Sequence, residues 1–205
     1  MNIKMYIVCE INGVRKIFEV SSFVSNFMKL LRSTLASQWI DVIDVNGNLE
    51  SCTVSERVCY GAWNNHGQWR ATSGTNPGRL LLNAPEGDSS YGIVVGTGET
   101  PVSPNDYKLE NQIPHGSADG QLYYYVTTVS DILIENDRVI QKLGRRFENK
   151  GSVDLTIKEI GLIAVVVNNA GSYSKVLIAR DLLTEPVEIP SGSTAILEVW
   201  LVTEV

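Results

Sequence analysis

The sequence predicts a mainly β protein: an antiparallel β-sandwich, of jelly-roll or immunoglobulin-like type, with one N-terminal amphipathic helix and one long loop or arm. Three observations lead to this prediction. Short apolar runs separated by turn residues recur from residue 91 onwards. No helical pattern lies between those runs, which disfavours a parallel α/β sheet. Before residue 50, a hairpin motif is followed by one stretch with a period of about four residues.

The first predicted element is a β-hairpin over residues 6–20, YIVCEINGVRKIFEV. Asn12 and Gly13 lie between two runs of β-forming residues, and both tolerate the positive φ angles that a type I′ turn requires. The sequence therefore predicts two antiparallel strands joined at this Asn-Gly pair.

Residues 22–37 are predicted to form an amphipathic helix, with Ser21 or Ser22 as its N-cap. The polar face carries too little positive charge for a membrane-surface helix, so we expect the apolar side to pack on a sheet. That side is defined by residues at steps of four, widened by three neighbours: Phe23, Phe27, Leu31 and Leu35, with Val24, Met28 and Leu30.

A short strand is predicted over residues 39–45, WIDVIDV, and ends at an Asn-Gly-Asn turn. The hairpin, helix and this strand make up an N-terminal unit, residues 1–49, that packs on the sandwich. Residues 50–90 are rich in Ser, Thr, Asn and Gly and show poor periodicity, apart from a possible strand near Arg79 to Leu82. Connections of this length are usually functional or disordered, so we interpret the segment as an extended arm or long loop.

Residues 91–205 form the predicted antiparallel sandwich. Val153, Leu155 and Ile157 alternate with polar residues, as in a half-buried strand. Hairpin turns are predicted at 168–171 and at 190–192. The predicted strands are Tyr91–Val95, Gln121–Val129, Asp131–Glu135, Val139–Phe147, Val153–Ile157, Gly161–Val167, Val176–Arg180, Val187–Ile189 and Ala195–Val202.

Composition restricts the class of partner. Of the 205 residues 43% are hydrophobic, which is enough for a substantial core, and the formal net charge is −6. The 17 Lys and Arg residues are scattered, which disfavours nucleic acid as the main partner, because phosphate binding needs clustered basic residues. No run approaches the ~20 apolar residues of a membrane span, and the N-terminus lacks the apolar core of a signal peptide. We therefore expect a soluble protein without a membrane partner.

Gly96-Thr97-Gly98 directly follows an apolar run, which raises the question of a phosphate-binding loop. A dinucleotide loop needs a third glycine and a following helix, whereas Pro101 and Pro104 prevent an ordinary helix here. A Walker loop is excluded because no Gly-Lys-Ser/Thr follows. The two glycines are therefore predicted to allow a tight turn at the end of a strand.

The sequence predicts no catalytic residue, no metal site and no cofactor. His66 and His115 are far apart and lack partners at metal-binding spacing, and no G-x-S-x-G motif is present. A Ser-His-Asp triad depends on spatial proximity and stays open at this stage. Asp106 and Glu110 are interpreted as solvated carboxylates, with an Asx-turn as the alternative for Asp106. The cysteines, Cys9, Cys52 and Cys59, are an odd number without a CxxC pair, and we interpret them as small buried side chains.

Residues 63–69, WNNHGQW, are the one stretch with the character of a binding site. Two tryptophans with amides between them could stack on a sugar ring and hydrogen-bond to its hydroxyl groups. The alternative is that the tryptophans fill a core or a neighbouring subunit. The candidate binding or interface residues are Trp63, His66, Trp69 and Tyr60.

Several short motifs resemble those of a group of tailed-bacteriophage virion structural proteins, which are associated with the tail, neck or capsid. The resemblance covers about residues 20–45 and 90–205, whereas residues 50–90 depart from it through Trp63, Trp69 and His66. No catalytic residue of the group carries over. The motifs are SFVSNF (22–27), GIVVGTG (92–98), TPV (100–102), DYKL (106–109), IPHG (113–116), GQLY (120–123), RFEN (146–149), IKEIGL (157–162), LIARD (177–181) and VEIPSGS (187–193).

The resemblance implies a non-enzymatic structural component of a virion, made in the host cytoplasm and assembled with copies of itself and other virion proteins. The hairpin at 6–20 and the arm at 50–90 are candidates for segments donated to neighbouring subunits. The alternative is a host-receptor or glycan-binding module that recognises a surface glycan. A polysaccharide hydrolase would need a cleft with paired carboxylates, and nothing in the sequence points to one.

Overall fold

The computed structural model describes residues 2–20, 22–54, 61–63, 69–71 and 80–204. Within these residues the protein consists of antiparallel strands and one short helix, and most strands belong to two sheets in a sandwich-like arrangement. This confirms the predicted fold class at the level of a mainly β, antiparallel two-sheet protein. The elements are β1 (Asn2–Ile11), β2 (Val14–Val20), α1 (Ser25–Ala36), β3 (Ile40–Ile43), β4 (Leu49–Thr53), β5 (Gly61–Trp63), β6 (Trp69–Ala71), β7 (Gly92–Gly96), β8 (Tyr123–Val129), β9 (Leu133–Glu135), β10 (Arg138–Glu148), β11 (Leu155–Asn168), β12 (Tyr173–Ile189) and β13 (Thr194–Glu204).

Two sheets carry the fold. Sheet A has the order β2-β1-β13-β10-β8, and β9 also pairs with β10. Sheet B has the order β12-β11-β4-β3, and β7 pairs with another part of β11. β5 and β6 form a separate two-stranded sheet. One continuous hydrophobic core joins the two large sheets, with Ile7 and Leu197 from sheet A and Leu162 and Leu177 from sheet B among its buried members.

The first hairpin is confirmed, and its place in the fold is central. Asn12 and Gly13 have φ angles of 50° and 78°, as a type I′ turn requires. β1 lies between β2 and β13 and pairs with β13 along its whole length. The hairpin is thus an integral part of sheet A, and the expectation that it is a segment for donation is not supported by this position.

The helix begins at Ser25, and backbone groups cap it. Val24 is the N-cap residue and makes no side-chain cap bond, while the N–H of Ser25 donates to the Pro104 carbonyl at 2.8 Å. The predicted cap at Ser22 is wrong, because the Ser22 carbonyl accepts the N–H of Arg180 and holds this segment on the edge of β12. The alternative cap, Ser21, lies outside the described residues.

The buried side of α1 matches the predicted apolar stripe only in part. Four of the seven residues of that stripe are buried in the core or pack against it, namely Val24, Leu30, Phe23 and Phe27. The buried residues of the helix itself are Asn26, Leu30 and Ser33, whereas Leu35 is 80% exposed and Met28 is 60% exposed. The reason is polar anchoring. Asn26 donates to the carbonyls of Ile43 and Leu177, which fixes that face of the helix against sheet B.

The C-terminal strands are longer than predicted. β11 spans two predicted strands because the ladder with β12 continues between them, with Glu159 opposite Leu182 after an irregularity between Ile157 and Glu159. The hairpin turn at 168–171 is confirmed, since β11 and β12 pair on either side of it. The hairpin predicted at 190–192 is wrong: this turn carries the chain from β12 in sheet B to β13 in sheet A. There the N–H of Gly192 donates to the Asn149 carbonyl, which ties the turn to the end of β10.

The described parts of residues 50–90 lie partly on the sandwich. β4 pairs with β3 and with the end of β11, and Leu81 forms a bridge with Val165. Thr53 pairs with Val167, so the two ends of the intervening segment leave β11 side by side. Within that segment β5 and β6 pair with each other, and 55–60, 64–68 and 72–79 lie outside the described residues.

Candidate interaction surfaces and internal polar clusters

The Gly96-Thr97-Gly98 loop surrounds a carboxylate of the protein itself. Glu159 is fully buried in β11, and its Oε1 accepts the backbone N–H of Gly98 at 3.1 Å and that of Asn111 at 2.8 Å. A Cβ atom at either glycine would lie 2.5 Å from this oxygen. The glycines are required because the backbone approaches an anion closely, as in a phosphate loop, but here the anion is a side chain.

Arg180 neutralises this carboxylate from the neighbouring strand. Its Nε donates to Glu159 Oε2 at 2.9 Å, one terminal nitrogen donates to Asp106 at 2.8 Å, and the other donates to Thr100. Burial alone would lower the pKa of Arg180, but its hydrogen bonds to Asp106 and Glu159 raise that pKa. This cluster ties the loop over residues 97–111 to sheet B.

The two carboxylates interpreted as solvated have defined partners. Asp106 accepts the backbone N–H of Ser103 at 2.9 Å as well as Arg180, so its role is to shape and anchor the loop. Glu110 is exposed but accepts the N–H groups of Glu99 and Thr100, and the hydrogen bond from Thr100 is the main cause of its lowered pKa. Glu110 is thus exposed, as predicted, but held by the loop, whereas Asp106 is half-buried and accepts a backbone N–H, although from Ser103 and not in the Asx-turn of the alternative.

Arg145 is a second buried cation, and its partners are backbone carbonyls. It is 1% exposed, and burial lowers its pKa to about 10, so it is charged at neutral pH. The guanidinium also lies 4.8 Å from the centre of the Tyr124 ring. Its hydrogen bonds fix the chain before β7 against sheet A, and the acceptors are the carbonyls of Pro85, Asp88, Tyr91, Ile93 and Tyr125.

His115 also has a structural contact. Its Nδ1 accepts the backbone N–H of Tyr124 at 3.1 Å, and its ring lies 4.8 Å from that of Tyr123. With Nδ1 as acceptor, the proton of the neutral imidazole resides on Nε2.

The outer edge of β8 is covered by neighbouring backbone, because the N–H of Thr127 donates to the Ala84 carbonyl and the N–H of Gly87 donates to the Tyr124 carbonyl.

The sequence-predicted binding residues belong to the β5–β6 hairpin and its surroundings. The register places Trp63 directly opposite Trp69. Tyr60 and His66 lie outside the described residues. The two tryptophans are therefore neighbours across a strand pair.

The outer edge of β2 is a strand edge that no described strand covers. β1 pairs with one side of β2, and no described strand pairs with the other. Val14 is 64% exposed and Ile17 is 58% exposed, although both are apolar. An unpaired edge with exposed apolar side chains is a template for another strand. By contrast, the segment before α1 covers part of the edge of β12 through Ser22 and Val24.

The described residues contain no group of three His, Cys, Asp or Glu side chains placed to hold a metal, and no helix in them has the length and hydrophobicity to cross a membrane. Burial raises the pKa of the Cys9 and Cys52 thiols to about 11.

Comparisons of the chain with protein-family models, with curated proteins and with solved structures found no match.

Proposed function

We propose that this chain is a non-enzymatic structural component of a tailed-phage virion, located in the tail, neck or capsid surface. It is made in the host cytoplasm and assembles with copies of itself and with other virion proteins. The open edge of β2 is the observation that carries the role in assembly, and the motif resemblance described above supports the class of protein. The more specific fold assignment, a jelly-roll or immunoglobulin-like sandwich, stays a prediction.

The internal polar clusters support a scaffold role over a catalytic one. The buried charges of Glu159, Arg180 and Arg145 are fully engaged in hydrogen bonds that anchor loops. Catalytic groups, by contrast, face a substrate and have perturbed pKa values in a cleft. A stiff sandwich with anchored loops and one open strand edge suits a subunit whose neighbours supply its remaining contacts.

Electron microscopy of the purified protein and antibody labelling of phage particles test this proposal together. We expect rings, tubes or other ordered assemblies at high protein concentration, and antibodies that label the particles of the phage that encodes the chain. Particles that carry no label, combined with a protein that shows no ordered assembly, would contradict the proposal.

A glycan-binding module is the second candidate, and the register of the β5–β6 hairpin is the observation that favours it. The register pairs Trp63 with Trp69, and residues directly opposite each other across a strand pair are close enough in general to contact one ligand. Binding to a glycan array should be lost when Trp63→Ala and Trp69→Ala are combined, while Trp39→Ala, in another part of the chain, leaves it unchanged. Binding that survives the double substitution would remove this hairpin from consideration.

A further inference from the structure

We propose that β2 pairs antiparallel with β2 of a second copy of this chain, about a twofold axis that passes at Ile17. The inference rests on the proposed role in assembly, since it names the surface through which two copies meet. Such a contact is isologous, because the same patch is used on both copies. It would join two A sheets into one continuous sheet and leave no open edge at β2.

The backbone of β2 has its unused hydrogen-bonding groups at alternate residues. Ile11 and Val14 flank the two-residue turn, and this pair exchanges both hydrogen bonds in a hairpin of this type. The alternation along the ladder then directs the N–H and C=O groups of Arg15, Ile17 and Glu19 away from β1. These groups lie on the open edge, where a second strand can bind them.

The side chains select one register. Arg15, Ile17 and Glu19 share the outer face of sheet A, where Arg15 lies over the Trp200 ring and Glu19 lies 3.9 Å from Lys4. A twofold axis at Ile17 places Arg15 of each copy opposite Glu19 of the other, and the two Ile17 side chains meet between them. Opposite charges and apolar pairs directly across strands are both favourable.

The neighbouring registers give less favourable side-chain pairs across the two strands. An axis at Arg15 or at Glu19 places two identical charges opposite each other, and an axis at Lys16 does the same for two lysines. An axis at Phe18 places Glu19 opposite Ile17, so the charge of Glu19 has no partner there. The sequence of β2 is therefore self-complementary about Ile17 alone among these positions.

The one feature that usually discourages pairing at an edge is already compensated. Lys16 points to the opposite face from Arg15, and inward-pointing charges are a common protection of edge strands. Here its Nζ lies 2.8 Å from Glu185 of β12, so its charge is neutralised within the same copy. The exposed fractions of the Arg15 and Glu19 side chains, 47% and 62%, leave both accessible to a second copy.

Charge exchange across the twofold axis is the decisive experiment, with sedimentation equilibrium as the measurement. Arg15→Glu and Glu19→Arg each convert two attractive pairs into two repulsive ones, so each single variant should weaken the dimer at least about tenfold. The double variant restores opposite charges at both pairs across the axis and should regain most of the wild-type affinity. Each exchanged charge then lies near a like charge of its own chain, Glu198 or Lys4, so we expect a dissociation constant within about tenfold of the wild type. Lys142→Glu is the matched control, because Lys142 is on the same face beside Trp200 but in the inner strand β10, and we expect it to leave the dimer unchanged.

Two further measurements separate dimer loss from misfolding. Ile17→Pro removes an N–H that β1 does not use, so far-UV circular dichroism should show a folded monomer that does not dimerise. In hydrogen exchange of the wild type, the amides of Arg15, Ile17 and Glu19 should become protected as concentration rises, whereas that of Phe18 is protected throughout.

Dimers with equal affinity in all variants would overturn the inference and leave the proposed function standing, because the copies would then meet elsewhere. A wild-type chain that is monomeric at every concentration would also overturn it. The labelling of particles tests the proposed function separately.

Discussion

At the scale of single residues, Glu159 and Arg180 form an ion pair whose members are both buried. Burial of two charges is costly, and here backbone N–H groups and additional acceptors offset that cost. Removing the Glu159 charge leaves the buried Arg180 with Asp106 as its close acidic partner and Glu110 at 4.0 Å. We expect Glu159→Gln to lower the unfolding free energy by about 3 kcal/mol in urea titrations, the lower end of the range for a broken buried pair. Glu185→Gln, which breaks the exposed pair with Lys16, should have only a small effect.

If Glu159→Gln and Glu185→Gln lower the unfolding free energy equally, burial does not determine how much an ion pair stabilises this protein. The contrast is informative because both substitutions remove one carboxylate charge and keep nearly the same side-chain volume.

Gly98 is a residue whose missing side chain has a measurable consequence. An added Cβ would lie 2.5 Å from Glu159 Oε1 and 2.6 Å from Glu110 Cβ, so Gly98→Ala must displace the carboxylate or the loop. We expect a loss of about 1–3 kcal/mol in unfolding free energy. Gly144→Ala is the control, because its Cβ would lie no closer than 3.3 Å to Thr128 Oγ1 and 3.8 Å to Glu198 Cγ, both side-chain atoms. If Gly98→Ala is as stable as Gly144→Ala, the close approach is not required.

The buried thiols of Cys9 and Cys52 make stability depend on alkaline pH. Burial raises their pKa from 9.0 to about 11, so the folded protein keeps these protons after the unfolded chain has lost them. Unfolding then releases protons, and the unfolding free energy should fall between pH 9 and about 11 by up to about 1.4 kcal/mol per pH unit for each thiol. Urea titrations at several pH values, with a reductant present, measure this slope.

The double variant Cys9→Ala, Cys52→Ala isolates the contribution of the thiols. Other groups titrate equally in both proteins, so its slope over this pH range should be shallower than that of the wild type. Identical slopes would mean that the thiols ionise as freely in the folded protein as in the unfolded chain.

Residue chemistry was predictable only where it is local. The spacing of Gly96, Gly98 and Pro101 was enough to exclude a nucleotide loop. It could not identify Glu159 as the anion, because Gly98 and Glu159 are 61 residues apart. The signal available was a single acid directly before the apolar run at 160–167 of β11 and an arginine at the end of an apolar run in β12. Such residues are rarely buried unless paired, and that argument could have joined them.

At the scale of elements, α1 shows how a correct period can miss part of the buried face. Leu31 and Leu35 of the predicted stripe are exposed, because hydrogen bonds from Asn26 and Ser33 hold a neighbouring side of the helix against sheet B. Small polar side chains that bond to the sheet let the helix approach closely. Hydrophobic periodicity carries no information about such bonds. The hairpin turns at Asn12-Gly13 and 168–171 were predictable because their geometry depends on neighbouring residues alone.

A pair of leucine variants tests the orientation of α1. Leu30 is 2% exposed and Leu35 is 80% exposed, although the two are one turn and one residue apart. We expect Leu30→Ala to cost about 2–4 kcal/mol of unfolding free energy, as for other core leucines. Leu35→Ala should change it by at most about 0.5 kcal/mol. The opposite ranking would show that the part of the predicted stripe around Leu35 is the buried part in solution.

At the scale of the whole molecule, the assignment of strands to sheets was beyond the sequence. β1 pairs with β13, nearly two hundred residues away, and the residues of the local turns do not predict that contact. The turn at 190–192 illustrates the same limit, because Pro-Ser-Gly can end a hairpin or carry the chain to the other sheet. Only the packing of both sheets on one core decides between these outcomes.

The central position of β1 leads to a prediction about which segments the fold requires. A chain without residues 1–20 loses the strand that lies beside β13 and the core side chains Met5, Ile7 and Phe18, so we expect it to be unfolded by far-UV circular dichroism. A chain in which a short Gly-Ser linker replaces residues 55–79 should fold, because Thr53 and Leu81 already lie side by side on β11. If the chain without residues 1–20 folds, the core does not depend on β1. If the chain with the linker is unfolded, the core depends on residues 55–79.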